Sequence, residues 1–171
     1  MTFQSTVNVL QGFGVPGEVQ LHSPKRAESL IINSAGATPN VYGFAATKSN
    51  TTNIAKMGGA ITNGSTVFAG IMVNPKAATL FGTTAGTLAP TLAIPDNQQA
   101  DFLTMGDVTV AVNTACNIGD LVSYSTTTGA LSTYAPGGTV PAGTATVPNA
   151  VVYRYPVTAV GGGLTVVRLT N

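Results

Sequence analysis

From Asp107 to Val112 the apolar side chains Val108, Val110 and Val112 fall on every second residue. A strand presents one face with that period, so the three valines are expected to enter a core while Asp107 and Thr109 point away. Gly119-Asp120 supplies a tight turn, and the run from Leu121 to Tyr124 reads as the next strand. Ser125 to Gly129 carries turn chemistry before Ala130 to Tyr134 restarts the pattern. The stretch from Met105 to Tyr134 is thus expected to form a β-meander, and most of the chain repeats its logic.

Ahead of it, Phe3, Val7, Val9, Leu10, Phe13 and Val15 are apolar, but Gly12, Gly14, Pro16 and Gly17 interrupt them. That irregularity suits an extended arm packed on a neighbour as well as it suits the start of a sheet. Residues 1–20 are therefore assigned to an N-terminal arm and residues 21–171 to one domain. Leu21 to Arg26, with Pro24 inside it, reads as a connection, and Leu30-Ile31-Ile32 as a short apolar run. Val41 to Thr47 reads as one strand. Lys48 to Gly64 reads mostly as loop, with one helical turn around Asn53 to Met57. The near-continuous apolar run from Ser65 to Val73 has the length of a buried strand, stopped by Asn74-Pro75.

Ala77 to Phe81 adds a short piece, Gly82 to Gly86 a turn. Pro90 and Pro95 confine Leu88 to Ile94 to a sheet edge or a loop. Asp96 to Asp101 reads as a polar connection with a helical turn capped by Asp96. Ala135 to Pro148 is a long Pro/Gly loop suited to contact with a partner. Ala150 to Tyr155 and Leu164 to Leu169 form a terminal hairpin across Gly161-Gly162-Gly163. Without a fixed-period repeat or a long amphipathic helix, the expected class is all-β. The architecture is a single compact β-barrel or sandwich domain with an extended N-terminal arm.

Composition adds one constraint. Hydrophobic residues make up 44% of the 171, enough for a sizeable core, but charged residues only 8%, against roughly 25% in an average soluble domain. A lone monomer ordinarily coats itself with charge, so the shortage favours an exterior covered in part by other subunits. The net charge is +1, with no basic run beyond Lys25-Arg26, which argues against electrostatic binding of nucleic acid. Cys116 is the single cysteine and can build neither an internal disulfide nor a metal or redox pair. No signal-peptide pattern opens the sequence and no window approaches the roughly 18 apolar residues of a membrane helix. The expectation is a soluble protein made in a cytoplasm, without membrane contact.

Candidate chemistry is sparse. His22 is the only histidine and has no serine-nucleophile pattern around it. Asp107 and Asp120 each follow a glycine at a strand boundary, where turn formation accounts for them without a paired-carboxylate hydrolase. Gly58-Gly59, Gly137-Gly138 and Gly161-Gly162-Gly163 match neither a P-loop nor a dinucleotide fingerprint. Tyr42, Phe44, Phe68 and Phe81 are read as core rather than as a sugar or base platform. No catalytic residue, metal ligand or cofactor is assigned.

Several segments in order carry a likeness: Thr2-Phe3-Gln4-Ser5-Thr6-Val7-Asn8, Val15-Pro16-Gly17-Glu18 and Ser23-Pro24-Lys25-Arg26, then the run from Phe68 to Lys76. Met105-Gly106-Asp107-Val108, Ile118-Gly119-Asp120-Leu121 and the closing Gly163 to Leu169 complete it. Through them the chain resembles the capsid cement, or decoration, proteins of tailed bacteriophages over nearly its full length. The resemblance implies a non-enzymatic virion protein on the outer capsid surface that clamps neighbouring copies of the major capsid protein. It implies self-association as well, a homotrimer rather than a dimer. Phe3, Val7, Val9, Phe13, Pro16, Pro24, Lys25 and Arg26 are assigned to capsid or subunit contact on this basis. Binding is then expected to be insensitive to salt, because few ionic contacts exist to screen. The alternative is a carbohydrate- or receptor-binding β-module of a virion spike.

Overall fold

A computed structural model describes residues 14–36, 38–74 and 93–170. Phe3, Val7, Val9 and Phe13, the short piece at residues 77–81 and the turn at residues 82–86 lie outside them. The described residues form eleven strands and no helix: β1 (Arg26–Ile32), β2 (Asn40–Val41), β3 (Ala45–Ser49), β4 (Ala55–Met57), β5 (Thr66–Val73), β6 (Ala93–Ile94), β7 (Gln98–Val112), β8 (Leu121–Ser125), β9 (Leu131–Tyr134), β10 (Thr144–Arg154) and β11 (Gly163–Leu169).

The 15-residue β7 belongs to two closed rings. Its first half lies between β1, from Ile32 opposite Gln98 to Arg26 opposite Met105, and β5, from Ile71 opposite Leu103 to Val73 opposite Asp101. The order β1-β4-β3-β5 returns to β7 and closes a five-membered barrel. The second half of β7 pairs with β11, from Gly106 opposite Leu169 to Val112 opposite Gly163. The order β11-β10-β8-β9 then returns to Val112 through its parallel bridge with Leu131 and closes a second barrel.

Two cores follow from this sharing. Leu30, Ile32, Ala55, Met72, Ala100 and Phe102 fill the first barrel. Val108, Val110, Val112, Val122, Tyr124 and Val167 fill the second, joined by Ala45, Ile71, Val73 and Leu103 from the outward face of the first. Successive side chains of a strand point to opposite faces, so Met72 and Phe102 serve one core while Ile71 and Leu103 serve the other. A strand buried on both faces reads as an unbroken apolar run, which is why the stretch ending at Val73 does. Where β5 and β7 cross, a Cβ on Gly70 (φ 134°) would stand 2.6 Å from the Leu103 carbonyl oxygen, so only glycine permits that approach.

Several local expectations are corrected. Residues 105–134 are not a simple meander: β8 and β9 form a hairpin, but β11 and β10 lie between β7 and β8. The single strand expected from Val41 to Thr47 is divided by Gly43 (φ 80°) into β2 and β3. The helical turn expected at Asn53 to Met57 is instead β4, paired with both β1 and β3. Asp96 caps no helix; Asn97 (φ 63°) turns the chain directly into β7. Pro148 lies within β10, at a shift in register between Thr146 and Val151 that tolerates its missing N–H. The terminal hairpin is present as β10 and β11.

Phe102 is wholly buried at the junction of β1, β5 and β7. Phe102→Ala is expected to lower unfolding stability by about 3–5 kcal/mol, read from urea denaturation of the otherwise unaltered chain.

Candidate interaction surface at the seam between the barrels

β7 passes from one barrel to the other at Gly106 (φ 130°), and the segment leading into β1 lies across it. A Cβ on Gly106 would stand 3.2 Å from both the Lys25 Cβ and the Pro24 carbonyl oxygen. The Asp107 N–H donates to Ser23 Oγ at 3.0 Å. Upstream, Gln20 N–H donates to the Asp107 carbonyl at 2.8 Å, Thr109 N–H to the Glu18 carbonyl at 2.9 Å, and Gly17 N–H to the Thr109 carbonyl at 2.8 Å. Val19 bridges Val108, and Gln20 Nε2 donates to Thr109 Oγ1 at 2.9 Å. Asp107 and Thr109 point away from the core that holds Val108, Val110 and Val112, as the alternation predicts, but the covering segment leaves them only 4% and 0% exposed.

The seam gathers Pro24, Lys25 and Arg26 of the expected contact residues, all exposed, while Pro16 is half-buried against Gly43. Two shallow depressions flank it. One, of about 380 Å³, is lined by His22, Ser23, Pro24, Met105, Asp107 and Arg168; the other, of about 530 Å³, by Arg26, Glu28, Phe68, Thr104, Asn149 and Thr170 among others.

Sequence reasoning missed the charged group beneath this surface. Arg168 meets Asp107 with both ends of its guanidinium, Nε to Oδ1 at 2.7 Å and Nη2 to Oδ2 at 2.8 Å. Its Cζ lies 3.4 Å from the centre of the Tyr153 ring, with that of Arg154 4.9 Å from the same ring. The bond to Asp107 raises the Arg168 pKa above its ordinary value, and Arg154, then Arg168, holds the Tyr153 phenol below its own. An Asp directly before the valine alternation of β7 and an Arg between Val167 and Leu169 of β11 were the available signal. Only the β7–β11 register places them opposite one another.

The model of the family described as "Structural cement protein (E217 gp24/Pam3 gp6)" matches residues 3–170. The chain belongs to this family of phage structural cement proteins. It is therefore a virion structural protein. In fold it is similar to a chain of "The capsid of Myoviridae Phage XM1", with a TM-score of 0.67 at 16% identity, over 100% of this chain and 99% of that one. No curated protein matches it.

The charges of this cement-family chain are distributed asymmetrically. Each described carboxylate is held from within. Glu18 accepts the Val15 N–H, Glu28 pairs with Lys48, and Asp101 accepts from Ser29 and Asn74. Asp107 pairs with Arg168, Asp120 accepts the Asn117 N–H, and Asp96 takes three donors. Asp107 and Asp120 are thus occupied by structural partners, and the described residues hold no cluster of metal-ligating side chains. Lys25, Arg26 and Lys56, by contrast, have no carboxylate partner among the described residues.

Asp96 gives a pH dependence. Asn40 Nδ2, the Ser34 N–H and the Gly36 N–H hydrogen-bond its carboxylate at 2.8–2.9 Å and depress its pKa, Asn40 contributing most. The stabilisation is present above the ordinary carboxylate value, near about 4, and is lost as pH falls through the lower folded-state value. Asp96→Asn is expected to be less stable at neutral pH and to show a flatter decline below about pH 4, read from melting temperatures across a pH series.

Proposed function

We propose that the protein decorates the outer surface of a tailed-phage capsid, where it binds neighbouring copies of the major capsid protein and clamps them together. The observation that carries this reading is the family match across residues 3–170. The charge-poor composition supports it, because a stable contact buries about 1,200–2,000 Å² with few charges at its centre. Exposed apolar side chains add to it, Leu21 (81%) in the segment that covers the seam and Ile31 (53%) at the far end of β1. Pro24, Lys25 and Arg26 contact the capsid from the seam, and Phe3, Val7, Val9, Phe13 and Pro16 belong to an arm that reaches a neighbour. The protein is made in the host cytoplasm, forms a homotrimer and does not bind nucleic acid. Several moderate contacts made at once then combine through effective concentration.

The arm is tested by a truncation placed with care. Residues 17–20 hydrogen-bond to β7, so their removal would strip one side of the shared strand. Deleting residues 2–13 instead is expected to leave a folded protein that sediments less with empty capsid shells. Undiminished co-sedimentation would remove the arm's role, and light scattering that gives the mass of one or two chains would remove the trimer.

A further inference from the structure

The first barrel is closed at a single point on the outer side of β1. Ile32 bridges Ala55 of β4 there, and among the described residues no other strand pairs with that side. Two hydrogen bonds fix which way the backbone groups point. The Ile32 carbonyl accepts the Asn97 N–H at 2.7 Å on the β7 side, whereas the Asn33 N–H donates to the Ala55 carbonyl at 2.8 Å on the other. Because these directions alternate along a strand, Glu28 and Leu30 turn their groups to β7, while Ala27, Ser29 and Ile31 turn theirs to the open side. Residues 26–29 and 31 are exposed.

An unpaired edge is a template for another strand, and the flanking side chains define the chemistry of the strand that fits. At one end stand Lys25 and Arg26, without carboxylate partners among the described residues. At the other, Ile31 (53% exposed) lies beside Ile54 (42%), brought alongside by the register of Ile32 and Ala55. We infer that β1 accepts an extended acidic segment of the major capsid protein as an added strand, its carboxylates on Lys25 and Arg26 and an apolar side chain on Ile31 and Ile54. The inference rests on the capsid reading above and names the chemistry of the segment bound. Backbone hydrogen bonds supply most of the affinity, so salt weakens it only through the two cations, which fix the register.

Ser29→Pro is the decisive variant. It deletes an N–H aimed at the open side and leaves the bonds to β7 in place. Ser29→Ala controls for the hydroxyl's bond to Asp101. In binding to empty shells of the major capsid protein, Ser29→Ala is expected to match the unaltered chain. Ser29→Pro is expected to bind about tenfold more weakly, the worth of roughly one hydrogen bond. Joint Lys25→Glu and Arg26→Glu replacement is expected to weaken binding by a similar factor. Hydrogen exchange on the unaltered protein supplies a reading independent of any variant's folding: the Ala27, Ser29 and Ile31 amides exchange quickly when free and slowly on the shell. Equal binding by the proline and alanine variants, or amides already protected in the free protein, overturns the added strand. Undiminished binding by the charge-reversed variant overturns its acidic character. If the unaltered protein fails to bind shells at all, the capsid reading falls first and the inference with it.

Discussion

β7 has to satisfy two hydrophobic cores at once, and the rest of the molecule accommodates that requirement. Phe102 and Leu103 are adjacent in sequence yet belong to different interiors. From Gly106 to Val110 the strand is buried throughout and has no solvent face on which to place polar side chains. The chain answers with glycine at Gly70 and Gly106, where backbones must approach, and with a covering segment, residues 17–25, over the stretch where the barrels meet.

Burying Asp107 and Thr109 under that segment carries a desolvation cost that only specific partners offset. Thr109 receives a hydrogen bond from Gln20, and Asp107 receives a two-pronged one from Arg168, itself stacked on Tyr153. Tyr124 places its ring in the second core and donates its hydroxyl proton to the Gly59 carbonyl at 3.0 Å. Among the described residues no buried side-chain nitrogen or oxygen lacks a partner. The polar groups therefore specify how the two barrels sit on each other, while the apolar runs supply the bulk of the stability.

What could be read in advance follows the range of the interaction. The alternation of Val108, Val110 and Val112, the turn at Gly119-Asp120 and the terminal hairpin are local patterns, and each is present. The closure of the rings is not local. Asp107 and Arg168 lie 61 positions apart, and nothing around either shows that β11 rather than β8 pairs with β7. The same reason explains the helical turn expected at Asn53 to Met57: Ala55, Lys56 and Met57 have helix-compatible propensities that pairing with β1 and β3 overrides. At the candidate surface, Pro24, Lys25 and Arg26 were legible as an exposed basic pair beside a proline. Their position over Gly106 was not, because it depends on where β7 changes barrels.

The shared strand also has a mechanical consequence. Where two domains merely touch, a pull on one reaches the other through side chains that slide apart one by one. Here the two bodies are joined along the peptide bonds of β7, flanked by β1 and β5 at one end and by β11 at the other. Tension applied to either barrel is carried to the other through a covalent spine rather than through an interface of side chains.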